Sequence, residues 1–448
     1  LISSQKKSPV CIIGAGLAGL TAALRLAKQK VPVTLIEKEA VPGGLASSIA
    51  LSNEPIERFY HFICGPDREL LQLIEEVGLK PKLHWHPCKV TYFQNQKLYA
   101  FGTPFDLLRF DPVPWSQRIR FGLNILCSTY RKDWRALDKI PARDWLIRQA
   151  GPEAYRRIWE PLIKLKFGEY EDQLSAAWIW HRVNRVANSK RKIWGRESHG
   201  YLEGGTETLI QRMLEQLESL GAKVYFNTAV EKILTAEGQV TGVKIRTNNS
   251  TEELCCGLVY STIQFPLLAD ILREPVDNPE NTVLKKIQAV KYIGVVAVLL
   301  QLDRPFSDSF WMNINVPGIP FNGIIEYTNL NRYFDRGRTH ILYIPYYMPV
   351  TDDKFSQPDS EYLQECFEAF KMINPRFEEK WVVNSVVSRA AYAQPICDIG
   401  FADRVPGLRG PLKGLLVSDP CQLYPADRTL TGAVRLGTEV AKMIISQE

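Results

Sequence analysis

With 448 residues, 45% hydrophobic and 23% charged, the chain exceeds what one hydrophobic core usually organises, and its composition excludes a disordered or collagen-like polymer. A net charge of +6 without a nucleic-acid-binding motif argues against a DNA- or RNA-binding protein. Nine cysteines with no C-x-x-C pair argue against a zinc centre or a disulfide framework, so no metal is expected and a reducing, cytoplasmic setting is.

The opening LISSQKKSPV lacks the apolar run of a secretory signal, and without an initiator Met the numbering is expected to start inside a longer chain. A strand (Val10–Ile13), a glycine turn, a helix (Leu17–Lys28) and a strand (Val33–Glu37) then spell a parallel βαβ unit. Within GAGLAG, Gly14 permits the tight turn, Gly16 lets the backbone approach a pyrophosphate, and Gly19 lets the helix pack on the strand. Ala15, Leu17 and Ala18 fill the positions between them, at a helix start whose free N–H groups and dipole favour phosphate. Glu37, about twenty residues on, can accept both ribose hydroxyls of an adenosine, with Lys38 beside it. In EKEAVPGGLASS, Gly43, Gly44 and Leu45 offer a second loop that can reach the same pyrophosphate.

A helix over Asp67–Val77 ends at Gly78, and VTYFQNQKLYAF reads as a hairpin turning near Asn95-Gln96. Residues 104–200 read as mainly helical between prolines. There Ile119, Leu123 and Leu126 share a face from which Phe121 and Ile125 turn away, the pattern of a helix wedged between neighbours. Residues 109–196 hold 19 Lys and Arg against 9 Asp and Glu, and seven of the ten tryptophans. Such a segment suits a membrane interface, a pocket for an anionic substrate, or a solvated rim. In WIWHRV, Trp178 and Trp180 share a face as a strand and not as a helix. A second α/β passage follows: a helix over Thr208–Leu220, Gly221 as its stop, and a strand over Lys223–Phe226. Further strands run through CCGLVYSTI (with Cys255 and Cys256) and IGVVAVLLQL to WVVNSVVSRA, before a closing strand–loop–helix. The uncharged run Cys255–Ala269, broken by Gln264 and Pro266, is too short to span a bilayer, so any membrane contact is expected to be peripheral.

The order of fingerprint, Glu37 and the Gly43-Gly44-Leu45 loop resembles the flavin amine oxidase superfamily, which includes protoporphyrinogen oxidases, phytoene desaturases and, more distantly, UDP-galactopyranose mutases. GYLEGGTETLIQRMLEQLESLGAKVYFNTAVEKI and LVSDPCQLYPADRTLTGAVRLG are similar to its central and closing blocks. The resemblance implies an α/β fold, with a discontinuous Rossmann-like FAD-binding domain (1–90, 201–285 and 396–448) and an α+β substrate domain (91–200 and 286–395). It places the Val230 backbone against adenine and Asp419 at the phosphate–ribityl region. Thr431, Gly432, Ala433 and Val434 fall at the isoalloxazine end, where helix N–H groups stabilise negative charge, and Tyr60 and His61 beside the ring.

Amine oxidases of this group place a lysine near the flavin. That position falls near Ala297 here, which argues against an amine substrate. Trp180 is a candidate wall for a substrate channel, and Tyr424 and Arg428 stand beside the flavin helix. Arg428 either anchors an anionic substrate or pairs with Asp427 or Asp419. The expected activity is an FAD-dependent oxidoreductase removing hydride from a largely hydrophobic substrate, isoprenoid or anionic lipid in class. The alternative is a redox-neutral mutase or isomerase acting on a nucleotide sugar or polyene. No catalytic residue and no oligomeric state is assigned.

Overall fold

Val10–Ile13 (β1), Leu17–Lys28 (α1) and Val33–Ile36 (β2) form the expected βαβ unit in the computed structural model, which describes residues 9–51, 54–188, 198–248, 250–272 and 281–446. The first eight residues, read for a leader, and Trp194 with the basic stretch around it lie outside the described residues. β1 centres a five-stranded parallel sheet in the order Lys223–Tyr225, β2, β1, Leu258–Ser261, Leu415–Val417. β1 and β2 are buried at every residue, as parallel strands covered on both faces must be.

α1 covers one face of this sheet together with the helices Gly205–Ser219 and Leu430–Ile445. Leu20, Leu24, Leu209, Met213, Val440 and Ile444 fill the space between them. The contact between α1 and Leu430–Ile445 is backbone on backbone: a Cβ at Gly437 would lie 2.3 Å from the Ala18 carbonyl oxygen.

A seven-stranded sheet runs Val382–Pro395, Tyr292–Leu302, His340–Met348, Gly323–Glu326, Trp311–Asn315, Val90–Gln94, Lys97–Ala100. All its neighbours are antiparallel except the parallel pair Trp311–Asn315 and Val90–Gln94. Along Tyr292–Leu302 the side chains alternate between two cores. Val296, Val298 and Leu300 pack with Tyr362 and Phe370 of the helix Asp359–Ile373, while Val295, Ala297 and Leu299 pack with Phe59 and Tyr343. Burial on both faces explains why this strand reads as an unbroken apolar run.

Between the sheets lies the helical block expected over 104–200, including Trp115–Tyr130, Glu160–Phe167 and Ala176–Asn188. WIWHRV is helical, so Trp178 and Trp180 point to different sides. The helix Trp115–Tyr130 departs from the wedged expectation: Phe121 is buried, but Ile119, Leu123 and Leu126 are exposed. Helical periodicity identifies an apolar stripe without saying which stripe meets protein. Gly205–Ser219 begins earlier than expected, because the buried Glu57 carboxylate accepts the Thr206 N–H at 2.9 Å and extends the first turn back to Gly205. Cys256 lies past the end of the strand Thr251–Cys255, its free thiol hydrogen-bonded to that of Cys11 on β1. In Gly437→Ala, the added methyl must separate α1 from the last helix, so stability should fall by about 1–3 kcal/mol. Urea unfolding checks this, and an unchanged midpoint would contradict the backbone contact.

Candidate functional site

The site begins at the carboxyl ends of the parallel strands, where open α/β sheets bind ligands. A Cβ at Gly19 would lie 2.0 Å from the Gly14 carbonyl oxygen, so glycine is what lets α1 start this close to β1. Gly43, at φ +111°, donates its N–H to Ala15 O at 2.8 Å and bridges Gly16, so the two glycine loops lie side by side. Beyond Gly16 there is open space: a Cβ there would meet nothing within 4 Å. Ala15 and Leu17 are buried beneath the turn, Ala18 is half-buried, and Leu45 packs under the seven-stranded sheet.

Glu37 is held in place by two backbone donors, Ala15 N at 2.7 Å and Glu39 N at 2.9 Å, while Lys38 is exposed. Thr228 N donates to Glu37 O at 2.9 Å, which brings the strand containing Val230 to the same corner. Ser47, Ser48 and Ser261 carry buried hydroxyls that have no partner among the described residues, the first two just past Gly43-Gly44 and the third beside Ile13. Two convergent glycine loops, a helix N-terminus, a fixed carboxylate and unpartnered hydroxyls fit the diphosphate and sugar of FAD.

At the far end Thr429 caps the helix Leu430–Ile445, its hydroxyl accepting Gly432 N at 3.0 Å. The Thr431 hydroxyl donates to Glu69 at 3.0 Å, Gly432 packs on Leu423, Ala433 is half-buried and Val434 is buried. What this helix offers a ligand is therefore its first-turn N–H groups rather than side chains. Leu430 lines a narrow cleft with His61, Phe62, Tyr201 and Gly205. Burial, reinforced by the Arg428 charge, lowers the His61 imidazole to about 4, so it is neutral at physiological pH, and its Nδ1 has no partner among the described residues. The Tyr60 hydroxyl shares a 3.1 Å hydrogen bond with that of Tyr347, and its ring sits edge-on to Trp311 and Tyr343.

Next to these aromatic residues stands a charged cluster that sequence reasoning reached at Arg428 and Asp427 alone. Arg428 Nε and Lys166 Nζ each donate to Gln394 Oε1 at 3.3 Å. Lys166 also lies 5.1–5.4 Å from the ring centres of Phe167, Trp178 and Tyr347. Burial brings its ammonium down to about 7. Arg182 pairs with Asp427. Burial alone would lift the Asp427 carboxyl, but Lys166, Arg182 and Arg428 hold it below the usual carboxylate range. Three basic side chains thus share one acid. Lys166 and Gln394 are 228 residues apart, and no local pattern announces such a pair.

Three expectations are corrected. Asp419 is wholly buried: its carboxylate accepts Cys421 N (2.8 Å), the Tyr292 hydroxyl (2.7 Å) and Phe265 N (3.3 Å). Its side chain serves as an internal cap that ties three segments together. The Tyr424 hydroxyl bonds Asp138 at 2.5 Å and Ser175 at 2.7 Å, which turns it into the helical block and away from any substrate. Trp180 is buried and donates to Ser128 O at 3.1 Å, so it joins two helices instead of walling a channel. Gly16→Val should fill the open cradle without touching the fold. The purified variant is expected to keep its circular dichroism and lose its visible flavin absorbance; retained flavin would show that the cradle holds something else.

The sequence pattern described as "Flavin containing amine oxidoreductase" matches residues 17–444. The 15-cis-phytoene desaturase, chloroplastic/chromoplastic, of Arabidopsis thaliana is 26% identical over 328 residues, 68% of this chain and 56% of that protein. The chain therefore spans little more than half the length of that relative. A provisionally named protoporphyrinogen oxidase from Exiguobacterium sp. 255-15 superimposes with a TM-score of 0.75 at 18% identity, covering 98% of this chain and 99% of the other. Reduced UDP-galactopyranose mutase does so at 0.74 and 16%, covering 99% and 96%. These two likenesses show the fold. On the match over 17–444, the chain belongs to the flavin-containing amine oxidoreductases, a family of FAD-dependent oxidoreductases.

Proposed function

We propose that this protein removes hydride from a largely hydrophobic substrate, isoprenoid or anionic lipid in class. In this reading residues 1–90, 201–285 and 396–448 hold FAD and residues 91–200 and 286–395 hold the substrate. The two glycine loops, Glu37, Val230 and the start of the helix Leu430–Ile445 would hold the cofactor, which supplies the two-electron acceptor when bound.

The observation that carries the proposal is the make-up of the wall beside that helix. Tyr60, Trp311 and Tyr347, backed by the buried Tyr343, form an aromatic cluster that would favour an apolar chain and exclude water. Lys166 and Arg428 adjoin it and suit an anionic end group, which they would orient. Ala297 is buried among apolar side chains and supplies no amine. Hydride removal asks mainly for orientation and a dry pocket, and the neutral His61 is consistent with that. The relative from Arabidopsis thaliana, named a phytoene desaturase, supports a polyene or isoprenoid substrate.

The surplus of positive charge around Asp427 favours the second reading, in which the same cluster holds the diphosphate of a nucleotide sugar. Anaerobic titration separates the two. Isoprenoid or polyene substrates should bleach the bound flavin. Bleaching by none of them, with turnover of a nucleotide sugar that needs pre-reduction but consumes no reductant, would replace oxidation by isomerisation. The ammonium of Lys166 is charged below about pH 7 and neutral above it. Affinity for an anionic ligand such as pyrophosphate should therefore fall as pH rises through 7, and Lys166→Met should flatten that profile in calorimetric titration.

A further inference from the structure

The helix Trp115–Tyr130 has two unlike sides. On one, Phe121, Asn124 and Ser128 are buried, and the Ser128 carbonyl accepts Trp180 Nε1 at 3.1 Å and Asn184 Nδ2 at 2.8 Å. These bonds fasten it onto the helix Ala176–Asn188. On the other side Trp115 (59%), Ile119 (41%), Leu123 (55%), Leu126 (42%) and Tyr130 (79%) are exposed. At 3.6 residues per turn these five fall within an arc about 80° wide, so they form one stripe along the helix. A contiguous apolar stripe of this kind marks an interaction surface, whereas scattered exposed leucines would not.

Three features identify what covers it. The aromatic residues stand at the two ends of the stripe and the aliphatic ones between, and Trp and Tyr favour the boundary between hydrocarbon and water. Residues 109–135 hold six Lys and Arg against two Asp, and Arg109, Arg120, Arg131, Lys132 and Arg135 are exposed on this helix or just beyond its ends in sequence. No described helix is long and apolar enough to cross a bilayer, so a contact through this element lies in the membrane plane. A second copy of the chain fits less well. A two-fold contact would set these basic residues against themselves, and one helical stripe falls short of the roughly 800 Å² per partner of a stable interface.

We propose that the helix Trp115–Tyr130 lies flat on membranes containing anionic lipid, with Trp115, Ile119, Leu123, Leu126 and Tyr130 immersed and the neighbouring Arg and Lys among the headgroups. The proposal is independent of the substrate reading. One helix then separates the lipid from the charged cluster, because Arg182 of Ala176–Asn188 reaches Asp427.

Flotation of the flavin-loaded protein with phosphatidylcholine vesicles, with and without phosphatidylglycerol, tests it. Wild type should float with the mixed vesicles and only weakly with phosphatidylcholine alone. Leu123→Glu/Leu126→Glu should partition at least about tenfold more weakly while keeping its flavin absorbance and unfolding midpoint. If that variant loses its flavin, Ile119→Ser/Leu123→Ser is read in the same way. Arg131→Glu/Lys132→Glu should lose the preference for anionic vesicles. The proposal is overturned if wild type floats with neither vesicle or if the leucine variant floats as well as wild type. It is overturned equally if wild type is a dimer that the leucine variant dissolves, since a second copy then owns the face.

Discussion

The contact on which the rest depends is the crowding of backbone around the first turn of α1. Gly19 sits against the Gly14 carbonyl and Gly437 against that of Ala18. A helix clamped at this spacing has its N-terminus fixed relative to β1 and to the last helix at once. The Gly43 loop is then bonded to Ala15, and Glu37 to the amide of the same residue. Every group that would meet a dinucleotide is positioned through that one turn, so its geometry is set by backbone atoms rather than by side-chain packing.

At the other end of the site the design is electrostatic. The His61 imidazole is kept neutral, and the Asp427 carboxylate is kept charged by three cations. Glu57 is buried with a raised carboxyl pKa, because the Thr206 amide offsets only part of the cost of removing its charge from water. Lys166 lies between these extremes, with its ammonium screened by aromatic rings and titrating near neutrality. Charged and aromatic groups set together this way can discriminate by charge and by greasiness at once, which an all-apolar or all-basic set would not.

Much of this was legible in the chain, but only where the signal is local. The βαβ unit, its glycine turn and Glu37 lie within 28 residues and carry their own spacing. The hairpin at Asn95-Gln96 is equally local, with both residues at positive φ. Asp419 was misjudged because a motif gives residue type and order, while the direction of a carboxylate depends on Tyr292 and Phe265 from elsewhere. Tyr424 failed for the same reason, through Asp138 and Ser175. Lys166 carried no signal, since Tyr347 and Gln394, which bring it to Arg428, lie far along the chain. The stripe on Trp115–Tyr130 was visible, but periodicity alone could not say that water, rather than protein, faces it.

The five-stranded sheet takes one outer strand from Leu415–Val417, and the start of Leu430–Ile445 is the proposed seat of the flavin. A ribosome delivers these segments well after β1, α1 and β2. Until they emerge, β1 and β2 have a partial sheet and α1 lacks the neighbour that pins it, so the growing polypeptide presents half a nucleotide pocket. On the proposed reading, loading of the prosthetic group waits until Leu430–Ile445 has emerged, and deleting that helix should leave an apoprotein rather than a weaker enzyme.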